Sequence, residues 1–113
     1  MSTLSTHVLD TQSGRPAAGV PITLEFQSAG GWRELTRGTT NADGRVRDFL
    51  PAGTRLEPGT YRMTFDTGTY FRAQAQRGFY PSVSVVFELA APEEHYHVPL
   101  LLSPFGYSTY RGS

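Results

Sequence analysis

His7, His95 and His97 are the three histidines of the chain, and two of them stand at i and i+2 in the segment HYHVPLLLS near its end. An imidazole titrates close to neutrality, so rings held on one face can take a proton from water and hand one to a leaving group. Two histidines at i and i+2 on a strand, joined by a third, are also a sound geometry for zinc. No carboxylate partner for the rings is evident in the sequence, which weakens the metal reading. Three solvated surface histidines would look the same by composition, and spacing alone does not separate these alternatives.

The elements that must carry these rings are strands. Side chains alternate along a strand, so His95, His97, Pro99 and Leu101 project together, and Tyr96, Val98, Leu100 and Leu102 form the opposite, core-facing set. In LSTHVLD the same parity puts Leu4, Thr6 and Val8 inward and Ser5, His7 and Leu9 outward. Two strands thus present imidazoles away from the core. Alternation recurs in GVPITLEF, TYRMTF and SVSVVFEL, with WRELTRGTT, VRDF and YSTYR as less regular candidates, giving about eight strands. Turns with glycine where a positive φ is needed separate them, at QSAGGW, NADGR and EPGT. The pattern predicts an all-β fold, an antiparallel β-sandwich. One short helix is expected over GTYFRAQAQRG, with Thr69 as its N-cap, Ala73 and Ala75 inside, and Gly78 as its stop.

A chain of 113 residues is the size of one domain, expected to span 1–113. Ten basic and ten acidic residues give no net charge, so the electrostatic footprint of a nucleic-acid or anionic-membrane binder is missing. Zero net charge with Pro99 and Leu101 facing outward hints at association between subunits. There is no cysteine, so disulfides and thiolate metal sites play no part. The opening residues show no secretory pattern, and no apolar run approaches the roughly 18 residues of a membrane helix, so a cytoplasmic location is expected.

LSTHVLD, NADGR, TGTYFRAQ and HYHVPLLLSPFGYSTYRGS, at their spacing in this chain, closely resemble the transthyretin-related 5-hydroxyisourate hydrolases. The resemblance covers almost the whole chain. Its most specific part is the terminal Tyr110-Arg111-Gly112-Ser113, the YRGS ending that distinguishes these hydrolases from the hormone carrier transthyretin. It implies a transthyretin-like sandwich of two four-stranded sheets, a short helix after the fifth strand, and a homotetramer built as a dimer of dimers with active sites lining a channel. The implied substrate is 5-hydroxyisourate, a planar product of urate oxidation, whose six-membered ring opens by hydrolysis without cofactor or metal.

Carried over by position, the resemblance makes His7 and His97 the pair that activates water and moves protons. It makes Arg45, after the Asp-Gly turn, the residue that binds the ring oxygens and helps stabilise the oxyanion. Outside the resemblance, an arginine in that place would read as a solvated strand end. Tyr110, Arg111, Gly112 and Ser113 would contact substrate. Ser113 has no triad-like context that would make it a nucleophile, and His95 flanks the motif without an implied role. The rivals are a non-catalytic carrier of a small aromatic ligand in the same channel and an adhesion or scaffolding module in which these residues are incidental.

Overall fold

The computed structural model describes residues 3–91 and 93–112. Burial alternates along the first strand, β1 (Thr3–Asp10): Leu4, Thr6, Val8 and Asp10 are buried, while Ser5, His7 and Leu9 are half covered. The long C-terminal strand, β7 (His95–Ser103), does the same, burying Tyr96, Val98, Leu100 and Leu102. In both, the expected inward sets are the observed ones, and the expected outward sets are too except at one residue. Pro99 departs from the alternation and is also buried.

Between them run β2 (Arg15–Pro16), β3 (Pro21–Ser28), β4 (Gly31–Thr39), β5 (Gly59–Phe65), α1 (Thr67–Ala73) and β6 (Val83–Leu89), and β8 (Gly106–Thr109) follows β7. They form two four-stranded sheets, ordered β2-β1-β7-β8 and β4-β3-β5-β6. The inner faces meet in an apolar core that includes Val8, Ile22, Leu24, Met63, Phe65 and Leu100. Neighbouring strands are antiparallel except β1 and β7, which run parallel. Most of the chain separates those two strands, so no hairpin dictates their relative direction. Their register pairs Ser5 with His97 and His7 with Pro99, which brings the outward histidines of both strands onto one sheet face.

Two local expectations are corrected. VRDF is not a strand: Asp48 has φ 52°, which interrupts extended backbone, and the segment instead lays Phe49 into the core, its carbonyl accepting from the Thr36 hydroxyl at 2.8 Å. The eighth strand is the two-residue β2, too short to show a period. The helix starts earlier than expected because Asp66 caps it, accepting from the Thr69 N–H at 3.1 Å and the Thr69 hydroxyl at 2.7 Å. It ends at Ala73, and Ala75, at φ 54°, lies beyond it. Gly78 allows close packing instead of capping, since a Cβ there would lie 2.5 Å from Phe71 Cδ2. Buried Tyr70 ties the helix to the end of β1 by donating to Asp10 Oδ2 at 2.7 Å. No helix among the described residues is long and apolar enough to cross a membrane.

Candidate active site

The turn after β4 is built to rest on β1. Asn41 Oδ1 accepts from the backbone N–H groups of Asp43 and Arg45, at 2.9 and 3.1 Å, closing an Asx turn. Gly44 completes it at φ 74°, and its carbonyl accepts from Val8 N–H at 2.9 Å. The approach is close: a Cβ on Gly44 would sit 2.5 Å from the Val8 carbonyl oxygen and 3.2 Å from His7 Cδ2. The chain therefore delivers Arg45 next to His7. Arg45 is exposed and makes no ion pair among the described residues, so its charge is available to a ligand.

His97 is held from two sides. Ser5 Oγ lies 2.7 Å from its Nδ1, and Nε2 makes no hydrogen bond among the described residues. From the other side, the Gly112 N–H donates to the His97 carbonyl at 2.9 Å, resuming the β7 pairing beyond the end of β8. Burial lowers the His97 pKa from its usual value, and the neighbouring charges of Arg45, His95 and His7 lower it further, against a small opposing effect of the Ser5 backbone. The shift favours the neutral ring, the form that can accept a proton. The His7 ring makes no hydrogen bond to the described residues, and both of its nitrogens are open.

His95 belongs to the same face. Its ring stands 6.4 Å from that of His97, nearly parallel at 14°, so the strand is regular there. Thr3 Oγ1 lies 2.6 Å from its Nδ1 and Ser5 Oγ 3.3 Å from its Nε2. Ser5 is the residue sequence reasoning passed over, although its outward parity between Leu4 and Thr6 was a usable signal. Among the described residues the three imidazoles do not gather into a group that could hold a metal ion.

The structure divides the terminal motif. Gly112 packs on the His97 ring, and Tyr110, 59% exposed, shares its strand parity. Arg111 turns to the opposite face, its guanidinium 4.5 Å above the Tyr96 ring and donating to Glu94 Oε1 at 3.1 Å. Ser113 lies outside the described residues. His97, Tyr110 and Arg111 line a groove of about 270 Å³ with Val86 and Phe87 of β6. A larger pocket of about 570 Å³, walled by Phe26, Leu50 and Tyr61 with Arg33 and Arg55, contains no imidazole and lies apart from this chemistry.

The two-sheet sandwich carries imidazoles, an unpaired guanidinium and Gly112 on one face, an arrangement of groups suited to acid–base chemistry on a small ligand. The family model described as HIUase/Transthyretin matches residues 4–112, and the chain belongs to that family. It is 48% identical over 110 residues to the 5-hydroxyisourate hydrolase of Salmonella dublin, covering 97% of this chain and 80% of that one. Among solved structures it resembles Klebsiella pneumoniae 5-hydroxyisourate hydrolase, with a TM-score of 0.86 and 37% identity over 99% of this chain and 100% of that one. It equally resembles transthyretin from Sparus aurata, with a TM-score of 0.90 and 33% identity over 99% and 97%. The fold alone does not separate enzyme from carrier.

Proposed function

We propose that this protein hydrolyses 5-hydroxyisourate, opening the six-membered ring to 2-oxo-4-hydroxy-4-carboxy-5-ureidoimidazoline by attack of a histidine-activated water. The observation that carries this reading is the convergence of His7, His97 and the unpaired Arg45 on one sheet face. The named hydrolases among the relatives point the same way. A carrier of a small aromatic ligand has no use for a neutral imidazole poised to accept a proton.

In this reading His7 and His97 share the deprotonation of water and the protonation of the leaving nitrogen. Arg45 grips the ring oxygens with its planar donors and meets the charge that gathers on the attacked carbonyl. Tyr110, Arg111, Gly112 and Ser113 complete the pocket, with Arg111 leaving Glu94 to do so. No cofactor takes part.

The working form in this proposal is a homotetramer, a dimer of dimers of one domain spanning 1–113. Phe79, Tyr80 and Tyr107 support it, since their rings contact one another in an exposed aromatic cluster, and Phe105 is exposed in the turn between β7 and β8. The unpaired edges of β6 and β8 support it as well. Sedimentation velocity tests this assembly. The proposal places the enzyme in the cytoplasm, in purine catabolism, downstream of urate oxidation.

The experiment that tests the activity is the ultraviolet decay of 5-hydroxyisourate generated in place by urate oxidase. Wild type should accelerate it, a chelator should leave the rate unchanged, and His97→Ala should lose about 10²–10⁴-fold in kcat. A decay no faster than the spontaneous one would reject the hydrolase.

A further inference from the structure

The outward face of β1 and β7 carries more than the His7, His97 and Arg45 set. Thr3 Oγ1 lies 2.6 Å from His95 Nδ1, His95 Nε2 lies 3.3 Å from Ser5 Oγ, and Ser5 Oγ lies 2.7 Å from His97 Nδ1. The parallel register generates this ladder, because Thr3 faces His95 and Ser5 faces His97 across the two strands. It begins at exposed residues, Thr3 and His95, and ends at half-buried His97.

We infer that Ser5 and His95 form a proton relay that makes His97 the general base of the hydrolysis and connects its inner nitrogen to solvent. The inference rests on the hydrolase reading and specifies how its site works. Each ring nitrogen and hydroxyl in the chain can be donor or acceptor, and two arrangements satisfy every bond. In the first, His97 Nδ1–H donates to Ser5, the Ser5 hydroxyl donates to His95 Nε2, and His95 Nδ1–H donates to Thr3. His97 Nε2 then holds a lone pair. In the second, every bond is reversed and Nε2 carries the proton.

Passing from the first to the second is one balanced step. Water gives a proton to His97 Nε2 as its oxygen bonds to the carbonyl carbon. His97 Nδ1 passes its proton to Ser5, Ser5 passes its own to His95 Nε2, and His95 releases the Nδ1 proton toward Thr3 and bulk water. Run in reverse, the chain draws a proton from solvent and lets His97 Nε2 protonate the nitrogen as the acyl–nitrogen bond breaks. The carboxylic acid so formed ionises, leaving one proton in solvent per turnover. His97 never holds a full positive charge, which suits a ring faced by Arg45, His95 and His7 and already biased toward its neutral form.

Ser5 and His95 therefore act through His97, and the test separates relay from scaffolding. Wild type, Ser5→Ala, Ser5→Thr and His95→Ala are compared for kcat, KM and dependence on added imidazole. Absence of activity in wild type would sink the hydrolase reading itself, before the relay is at issue. With wild type active, Ser5→Ala and His95→Ala should each lower kcat about tenfold, less than the roughly 10²–10⁴-fold expected for loss of the proton-accepting ring itself, with KM within about twofold. Ser5→Thr should retain the rate, and added imidazole should restore kcat in His95→Ala. Folded variants with unchanged kcat, or a loss that imidazole does not relieve, overturn the relay. Nitrogen-15 NMR of wild type covers the case of variants that do not fold. The relay expects the ligand-free His97 ring to be protonated and hydrogen-bonded at Nδ1 near pH 8, and a ring protonated at Nε2 alone overturns it.

Discussion

Gly112 lies flat against the His97 ring. Its N–H donates to the His97 carbonyl at 2.9 Å, and a Cβ added to it would come within 2.5 Å of His97 Cδ2 and 3.3 Å of Cγ. Gly112 is thus a wall that sets the ring's position, and only glycine leaves the space. Gly112→Ala should displace the imidazole and lower kcat by up to about 10²-fold, the scale of a misplacement near 1 Å. Thermal unfolding should hardly change, since Gly112 lies past the last regular strand. A kcat within twofold of wild type would show that the ring does not depend on this contact.

The electrostatics of His97 predict a pH profile. Its pKa is lowered by burial and by Arg45, His95 and His7, so the acidic limb of kcat/KM should fall below the ordinary histidine value of about 6.5. Arg45→Gln removes a neighbouring positive charge, eases protonation of the ring, and should move that limb upward while raising KM. The same shift acts on stability. The unfolded chain binds a proton at this histidine more readily than the folded one, so the contribution is fully present above about pH 6.5 and is lost as pH falls through the lowered folded value. A limb that stays in place in Arg45→Gln would mean that another group carries it.

Much of this arrangement could be read from the sequence, and the reasons it could be are physical. Period-two alternation assigned the faces of β1 and β7 because one side of each strand must be dry, and that parity turned His7 and His97 to the outward face of their own strands. The parallel pairing of those strands was not legible, since it joins segments about ninety positions apart and no turn signals it. Nor was the conformation at 46–49, where a short apolar-polar alternation hides a positive φ at Asp48. The helix start was missed because Asp66 caps from just before the pattern begins. Ser5 looked like an ordinary strand hydroxyl until the register put His97 opposite it. The resemblance to a family supplied Arg45, and the reason it stands near His7 is the docking of Gly44 on Val8.

That docking can be tested alone. Gly44 has φ 74°, and a Cβ there meets the Val8 carbonyl oxygen at 2.5 Å, a backbone atom that cannot swing aside. Gly44→Ala combines left-handed strain with a clash and should cost about 1–3 kcal/mol in unfolding free energy. Lifting the turn also moves Arg45, so KM should rise more than kcat falls. Equal stability of variant and wild type by chemical denaturation would show that the turn is not seated on β1 as described.

Arg111 is the terminal-motif residue that the structure turns away from the histidines, and what holds it there is weak. Its ion pair with Glu94 spans 3.1 Å between side chains 61% and 55% exposed, a setting in which such a pair contributes about 0–1 kcal/mol. Stacking on Tyr96 at 4.5 Å adds a contribution of similar size, about 0.5–1 kcal/mol at an exposed site. The guanidinium can therefore be recruited by an anionic or carbonyl-rich ligand at small cost. If it is, Arg111→Ala raises KM, and Glu94→Ala, by releasing the side chain, lowers KM while changing stability by less than about 1 kcal/mol. Steady-state kinetics on the two variants separates the cases: opposite shifts in KM place Arg111 on the substrate, and unchanged KM in both assigns it to pinning the chain end against Tyr96.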